Sequence, residues 1–73
     1  MNYINIIQKI GKKIAYLRKN KKFSQERFSE KANISVIYLG KIERGEANPT
    51  LEKLIKITKA LDVEIVEIFN FTI

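Results

Sequence analysis

The side chains that most often make and break bonds are missing from this chain. It has no His and no Cys, which removes the commonest general base, the commonest metal ligand and the thiolate nucleophile. Its Ser, Lys and Glu residues show no spacing that helical geometry would gather into a nucleophile and its base. An enzyme is therefore the weakest reading, and neither a metal nor a cofactor is expected. Recognition chemistry is what remains, and it is concentrated in Ser35-Val36-Ile37-Tyr38-Leu39-Gly40-Lys41-Ile42. A short helix in a small domain keeps one face for water, yet this stretch is apolar almost all round. Either it is buried on every side, or its outward face meets something other than water.

Charge bears on what that something is. The net charge is +6, and it is unevenly placed. Residues 1–22 hold Lys9, Lys12, Lys13, Arg18, Lys19, Lys21 and Lys22 and no acid, a local charge of +7. Residues 23–45 carry +1 and residues 46–73 carry −2. A polyanion facing the basic end and a merely solvated lysine face fit this distribution equally well. The 45% hydrophobic content is too high for a disordered tail. No apolar run approaches the roughly 18 residues of a membrane span, and no secretory signal is visible. The expectation is one soluble cytoplasmic domain over residues 1–73, with one modest core and no membrane or small-molecule partner.

The elements that position these residues read as helices. Ile7, Ile10, Ile14 and Leu17, with Ile6 beside them, give a first amphipathic helix over 4–20 with lysines opposite. Ser24 is a good N-cap for a second helix over about 24–31, with Glu26 favouring the dipole and Phe28 and Ala32 inward. Arg27 stands where a capping box wants Glu or Gln. Asn33 suits a left-handed turn. Ser35 caps a third helix to about 44, closed by Gly45. After a loop at 46–49, Thr50 caps a fourth helix, 50–61, with Leu51, Leu54, Ile55, Thr58 and Leu61 as its stripe. Residues 64–69 form a short fifth helix, although 63–66 has the propensity of a strand. Five short helices and no clear strand predict an all-α, compact five-helix bundle.

Helices two and three are joined by a very short turn, with small Ser29 near their crossing and Phe28, Ala32, Ile34, Leu39 and Ile42 at inward positions. That is a helix-turn-helix pattern. The stretch from Phe23 to Val63, most of the chain, resembles the Cro/phage-repressor (XRE-type) helix-turn-helix family. It is especially similar to the short controller proteins of restriction–modification systems. The most specific pieces are Ser24-Gln25-Glu26, Tyr38-Leu39, Ile42-Glu43-Arg44-Gly45-Glu46, Asn48-Pro49-Thr50-Leu51 and Lys59-Ala60-Leu61. The chain departs from the pattern at Asn33 for the turn glycine, Ser29 for alanine, Asp62 for glycine, and Gly40 inside the third helix. That glycine costs roughly 1 kcal/mol relative to Ala; close approach of a phosphate or base edge would account for it.

The resemblance implies that the third helix enters the major groove of double-stranded DNA while the second lies across the backbone. Ser35, Val36, Ile37 and Lys41 fall where family members touch bases, and thymine methyls suit the aliphatic pair. Tyr38 and Arg44 are expected at bases or backbone. Ser24 and Gln25 begin the second helix at the phosphate, and Asn48 lies in a loop that grips a second phosphate track. Arg18 and Glu43 match an internal salt bridge. Each of these has a plainer structural alternative: Ser35 is a cap with or without DNA, and Arg44 complements a helix C-terminus.

The C-terminal end holds more apolar groups than one short helix can bury. Ile65, Val66, Phe69, Phe71 and Ile73 are expected as a self-complementary homodimer patch within 63–73, as a two-fold DNA site requires. The expected activity is an autoregulatory transcriptional regulator on a pseudo-palindromic operator. The alternative is an antitoxin-like or adaptor module that binds a different protein through this apolar end. Exposed aromatics interleaved with basic residues are few beyond Tyr38, which disfavours RNA.

Overall fold

The chain, described over residues 3–71 in a computed structural model, consists of helices and short turns. They are α1 (Tyr3–Asn20), α2 (Gln25–Ala32), α3 (Val36–Glu43), α4 (Leu51–Leu61) and α5 (Ile65–Ile68). No strand forms among the described residues, and the stretch 63–66 leads into α5 instead. The architecture is the expected all-α five-helix bundle.

Small oxygen-bearing side chains start three of these helices. Ser24, Ser35 and Thr50 sit in extended backbone and accept hydrogen bonds from the N–H groups of Arg27 (3.1 Å), Tyr38 (3.0 Å) and Lys53 (3.2 Å). Each satisfies a backbone donor that the first turn leaves without an intrahelical partner. Left-handed residues end the helices. Asn33 (φ 58°) closes α2, Asp62 (φ 59°) closes α4 and Gly45 (φ 75°) follows α3. The two departures from glycine are thus carried by the residue types best able to adopt that backbone.

Ile14, Phe28, Leu39, Ile42, Ile57, Leu61 and Ile68 form the fully buried centre, one or more from every helix. α1 packs on α3 and α5, α2 on α3 and α4, and α4 on α5. Two details of the expected stripes change. On α1, Ile6 rather than Ile7 joins Ile10, Ile14 and Leu17 against the core. On α4, Leu51 and Ile55 are exposed, and the buried arc is Leu54, Ile57, Thr58, Ala60 and Leu61. Apolar side chains occupy both flanks of α4, so periodicity alone did not choose between them; α4 packs on α2 and α5, and the flank it buries carries Ile57 and Ala60.

Candidate nucleic-acid interface

α3 is built from two opposed faces. Leu39 and Ile42, three residues apart, point inward and are 0% and 1% exposed. Opposite them, Ile37, Lys41 and Arg44 follow a four-then-three spacing and so share one line along the helix. All three are exposed, Ile37 at 71%. Val36 flanks the line, and Ser35 precedes it with its hydroxyl committed to the cap. The stretch that looked greasy all round therefore divides: two residues hold the helix down, and Ser35, Val36, Ile37 and Lys41 face out together.

Tyr38 and Gly40 do not join that outward group in the same way. Tyr38 is half-buried and packs against the core. Gly40 is buried, because the Arg44 guanidinium folds over it; a Cβ at Gly40 would stand 3.0 Å from Arg44 Nη1. The Arg44 side chain thus occupies the space beside Gly40. Arg44 in turn donates from Nε to Glu46 Oε2 at 3.0 Å and from Nη2 to Oε1 at 3.2 Å. The hydrogen-bonded carboxylate raises the Arg44 pKa above its ordinary value, and the same bond lowers that of Glu46. Both groups are exposed, so the pair is weak and its geometry easily exchanged.

The inner side of the last turn of α3 is locked by buried ion pairing. Arg18 Nε donates to Glu43 Oε2 at 2.7 Å and Nη2 to Oε1 at 3.0 Å. Nη1 donates to the Phe23 carbonyl at 2.7 Å. The two side chains are only 7% and 6% exposed. This two-pronged geometry is the form in which a buried pair offsets its own desolvation. Gln25 completes the cluster, donating from Nε2 to Glu43 Oε1 at 2.9 Å. The Gln25 side chain is thus partly committed inside the protein, which leaves its second amide hydrogen and the α2 N-terminal N–H groups for an outside acceptor.

Ser24 and Asn48 are exposed at the start of α2 and in the loop before α4. Neither belongs to α3. The dimer residues divide. Val66 and Phe69 are 69% and 44% exposed. Ile65 and Phe71 are half-buried and pack partly against the chain's own core. Ile73 lies outside the described residues.

One positioning residue was missed altogether. Gly11 lies where α1 crosses the last turn of α3. A Cβ there would overlap the Ile42 carbonyl oxygen and stand 3.0 Å from that of Glu43. Backbone-to-backbone contact sets how closely α1 seats α3, and only glycine permits it. A single glycine among lysines gives no periodic signal, so nothing in the sequence pointed to it.

Two short helices joined by a left-handed turn, the second anchored beneath and free above, define a helix-turn-helix domain. Residues 14–68 match the helix-turn-helix family, and the chain belongs to it. It is similar to the immunity repressor protein of Bacillus phage phi105, with 39% identity over 77% of this chain and 39% of that one. It is similar to the control protein C.BamHI of Bacillus amyloliquefaciens, with 35% identity over 93% of this chain and 85% of that one. Among solved structures it resembles the restriction–modification controller protein C.AhdI from Aeromonas hydrophila, with TM-score 0.87 and 34% identity over 89% of this chain and 98% of that one. The chain spans about two-fifths to just over half the length of several relatives it matches, the phage repressor among them. No helix among the described residues is long and apolar enough to cross a membrane.

Proposed function

We propose that the chain is a sequence-specific transcriptional regulator that inserts α3 into the major groove of double-stranded DNA. The observation that supports this most is the outward line of α3, where exposed Ile37 precedes exposed Lys41 on a helix whose opposite face is wholly buried. A bare aliphatic group beside a cation fits a thymine methyl next to an acceptor-bearing base edge or phosphate. Ser24, Gln25 and Asn48 supply backbone contacts, aided by the α2 N-terminus. The basic first 22 residues add attraction that falls with salt.

The active species is a homodimer on a pseudo-palindromic operator, with Val66 and Phe69 at the centre of the joint. The names of its controller and repressor relatives favour autoregulation. Mobility shift on DNA from the chain's own locus tests the reading: a discrete, salt-sensitive complex is expected, and no shift on any such fragment at low salt overturns it. Exposure of Val66 and Phe69 also favours a second reading, an adaptor that docks a different protein. Light scattering separates the two. A dimer that Val66→Glu converts to monomer supports the first; a monomeric wild-type chain at high concentration favours the second.

A further inference from the structure

α1 carries a second basic surface, beside the segment that follows α5. Lys9, Lys12 and Lys13, with Tyr16, Asn70 and Phe71, line an open cavity of about 350 Å³ between α1 and the segment after α5. That volume lies at the small end of the range in which ligand sites fall, roughly 300–1,000 Å³.

Lys13 is the anomaly in this cavity. Its side chain is only 4% exposed, and its ammonium has no hydrogen-bond partner. Its nearest opposite charge is Glu67 Oε1 at 3.3 Å, an approach without hydrogen-bond geometry, and Glu67 itself is 41% exposed. An ammonium has three donors to satisfy, and lysine is almost never buried unless paired. Among the described residues, Lys9, Lys12 and Lys13 line the cavity and Glu67 approaches Lys13, an excess of two positive charges. The remaining wall is aromatic: Lys9 Nζ stands 5.7 Å from the Phe71 ring centroid and Lys13 Nζ 5.8 Å from that of Tyr16. Lys9 and Lys12 line the cavity from exposed positions, the Lys13 ammonium lies buried beneath, and the surplus charge suits a dianion.

We propose that this cavity is a binding site for a phosphomonoester-type dianion, its phosphate on Lys9, Lys12 and Lys13 and its organic part against Phe71 and Tyr16. None of its residues lies on α3, although Lys12 also lines a hollow with Gln8, Glu43 and Arg44. The site revises the expectation that the chain has no small-molecule ligand. A free phosphate ester and a phosphate on a nucleic-acid end present the same chemistry, and competition between them separates the sources.

The test is a titration of the full chain in phosphate-free buffer at low salt, followed by amide and lysine NMR, with inorganic phosphate and phenyl phosphate as probes. Saturable binding of one equivalent per chain is expected, with shifts confined to residues 9–16 and 67–71. Phenyl phosphate should bind more tightly than inorganic phosphate. Lys13→Met should weaken it about tenfold, the scale of one lost charge-assisted hydrogen bond, while Lys21→Met leaves it unchanged. Exposed Lys9→Gln carries the same expectation if the buried substitution unfolds the chain. Displacement by a 5′-phosphorylated oligonucleotide, but not by its unphosphorylated form, would assign the source to nucleic-acid ends; displacement by neither would assign it to a free ester. Non-saturating shifts shared with Lys19, Lys21 and Lys22, or unchanged affinity in both variants, would overturn the site. Equal affinity for the two probes would overturn its aromatic half.

Discussion

The inner and outer sides of α3 are made on opposite terms. On the inner side of its last turn, Glu43 is enclosed by Arg18, Gln25 and the backbone of α1, and its carboxylate receives three hydrogen bonds. Along its outward line, Ile37 and Lys41 are exposed to solvent. A helix that must present side chains to a rigid duplex gains from this division. The locked side fixes the axis and rotation of α3 on the domain, and a displacement of 1 Å there would be carried along the helix to every outward group. The open side can change residue without cost to the fold. If α3 reads DNA as proposed, stability and recognition are separable on one eight-residue helix, and substitutions on each side should show it.

The largest effect is expected on the locked side. Arg18→Ala leaves the Glu43 carboxylate buried without its two-pronged partner, which should cost about 3–5 kcal/mol and lower the melting temperature without DNA present. An unchanged melting temperature would remove Arg18–Glu43 from the list of what holds the fold. Replacing both residues by Met sharpens the point, since an apolar pair of similar volume should recover most of the loss. Gly11→Ala comes next. Helix propensity alone predicts a gain of about 1 kcal/mol, but overlap with the Ile42 and Glu43 carbonyls should reverse the sign and leave a net loss of about 1–3 kcal/mol. Denaturant unfolding decides it, and a stabilised variant would mean that α1 and α3 can part without harm.

Much of this division was legible in the residues themselves. Ser24, Ser35 and Thr50 announce helix starts because their short hydroxyls compete for backbone donors, and Asn33 and Asp62 announce turns because they tolerate left-handed backbone. Leu39 and Ile42 could be separated from Ile37 and Lys41 because 3.6-residue periodicity leaves only one side of α3 to bury. What stayed hidden depends on partners distant in the chain. Gly11 matters through two carbonyls more than 30 positions away, and the burial of Lys13 through Glu67 and the packing of α5 on α1. Leu51 and Ile55 were misplaced because both flanks of α4 are apolar and only its neighbours choose between them. Gln25 looked outward because its tie to Glu43 spans 18 residues of sequence.

The outward line should respond in the reverse way. Lys41→Ala and Ile37→Ala should each leave stability within about 0.5 kcal/mol of wild type. Each should cost about 1–3 kcal/mol in specific DNA affinity. Lys41→Ala should weaken specific binding more than non-specific binding in parallel titrations at one salt concentration. Equal losses would mean that Lys41 meets phosphate alone, and the base-reading part of the line would shrink to Ile37 and its neighbours.

The smallest effect belongs to the exposed pair at the foot of the line, and pH gives its sign. Arg44 holds the folded-state pKa of Glu46 below its ordinary value. The unfolded chain thus takes up the proton at a higher pH than the folded chain, and stability falls as acid is added. The contribution is complete above the ordinary glutamate pKa and lost as pH drops through the lowered one. Glu46→Gln should therefore match wild type in strong acid and lie slightly below it near neutrality, with a difference that salt removes. The same substitution frees the Arg44 guanidinium from its carboxylate, next to the outward line. If Arg44 reaches DNA, affinity should rise modestly as the competing acceptor disappears, and Glu46→Gln should gain more than Glu46→Gln combined with Arg44→Ala. Equal affinities for wild type and Glu46→Gln would confine Arg44 to the locked half of α3, covering Gly40 and meeting no DNA.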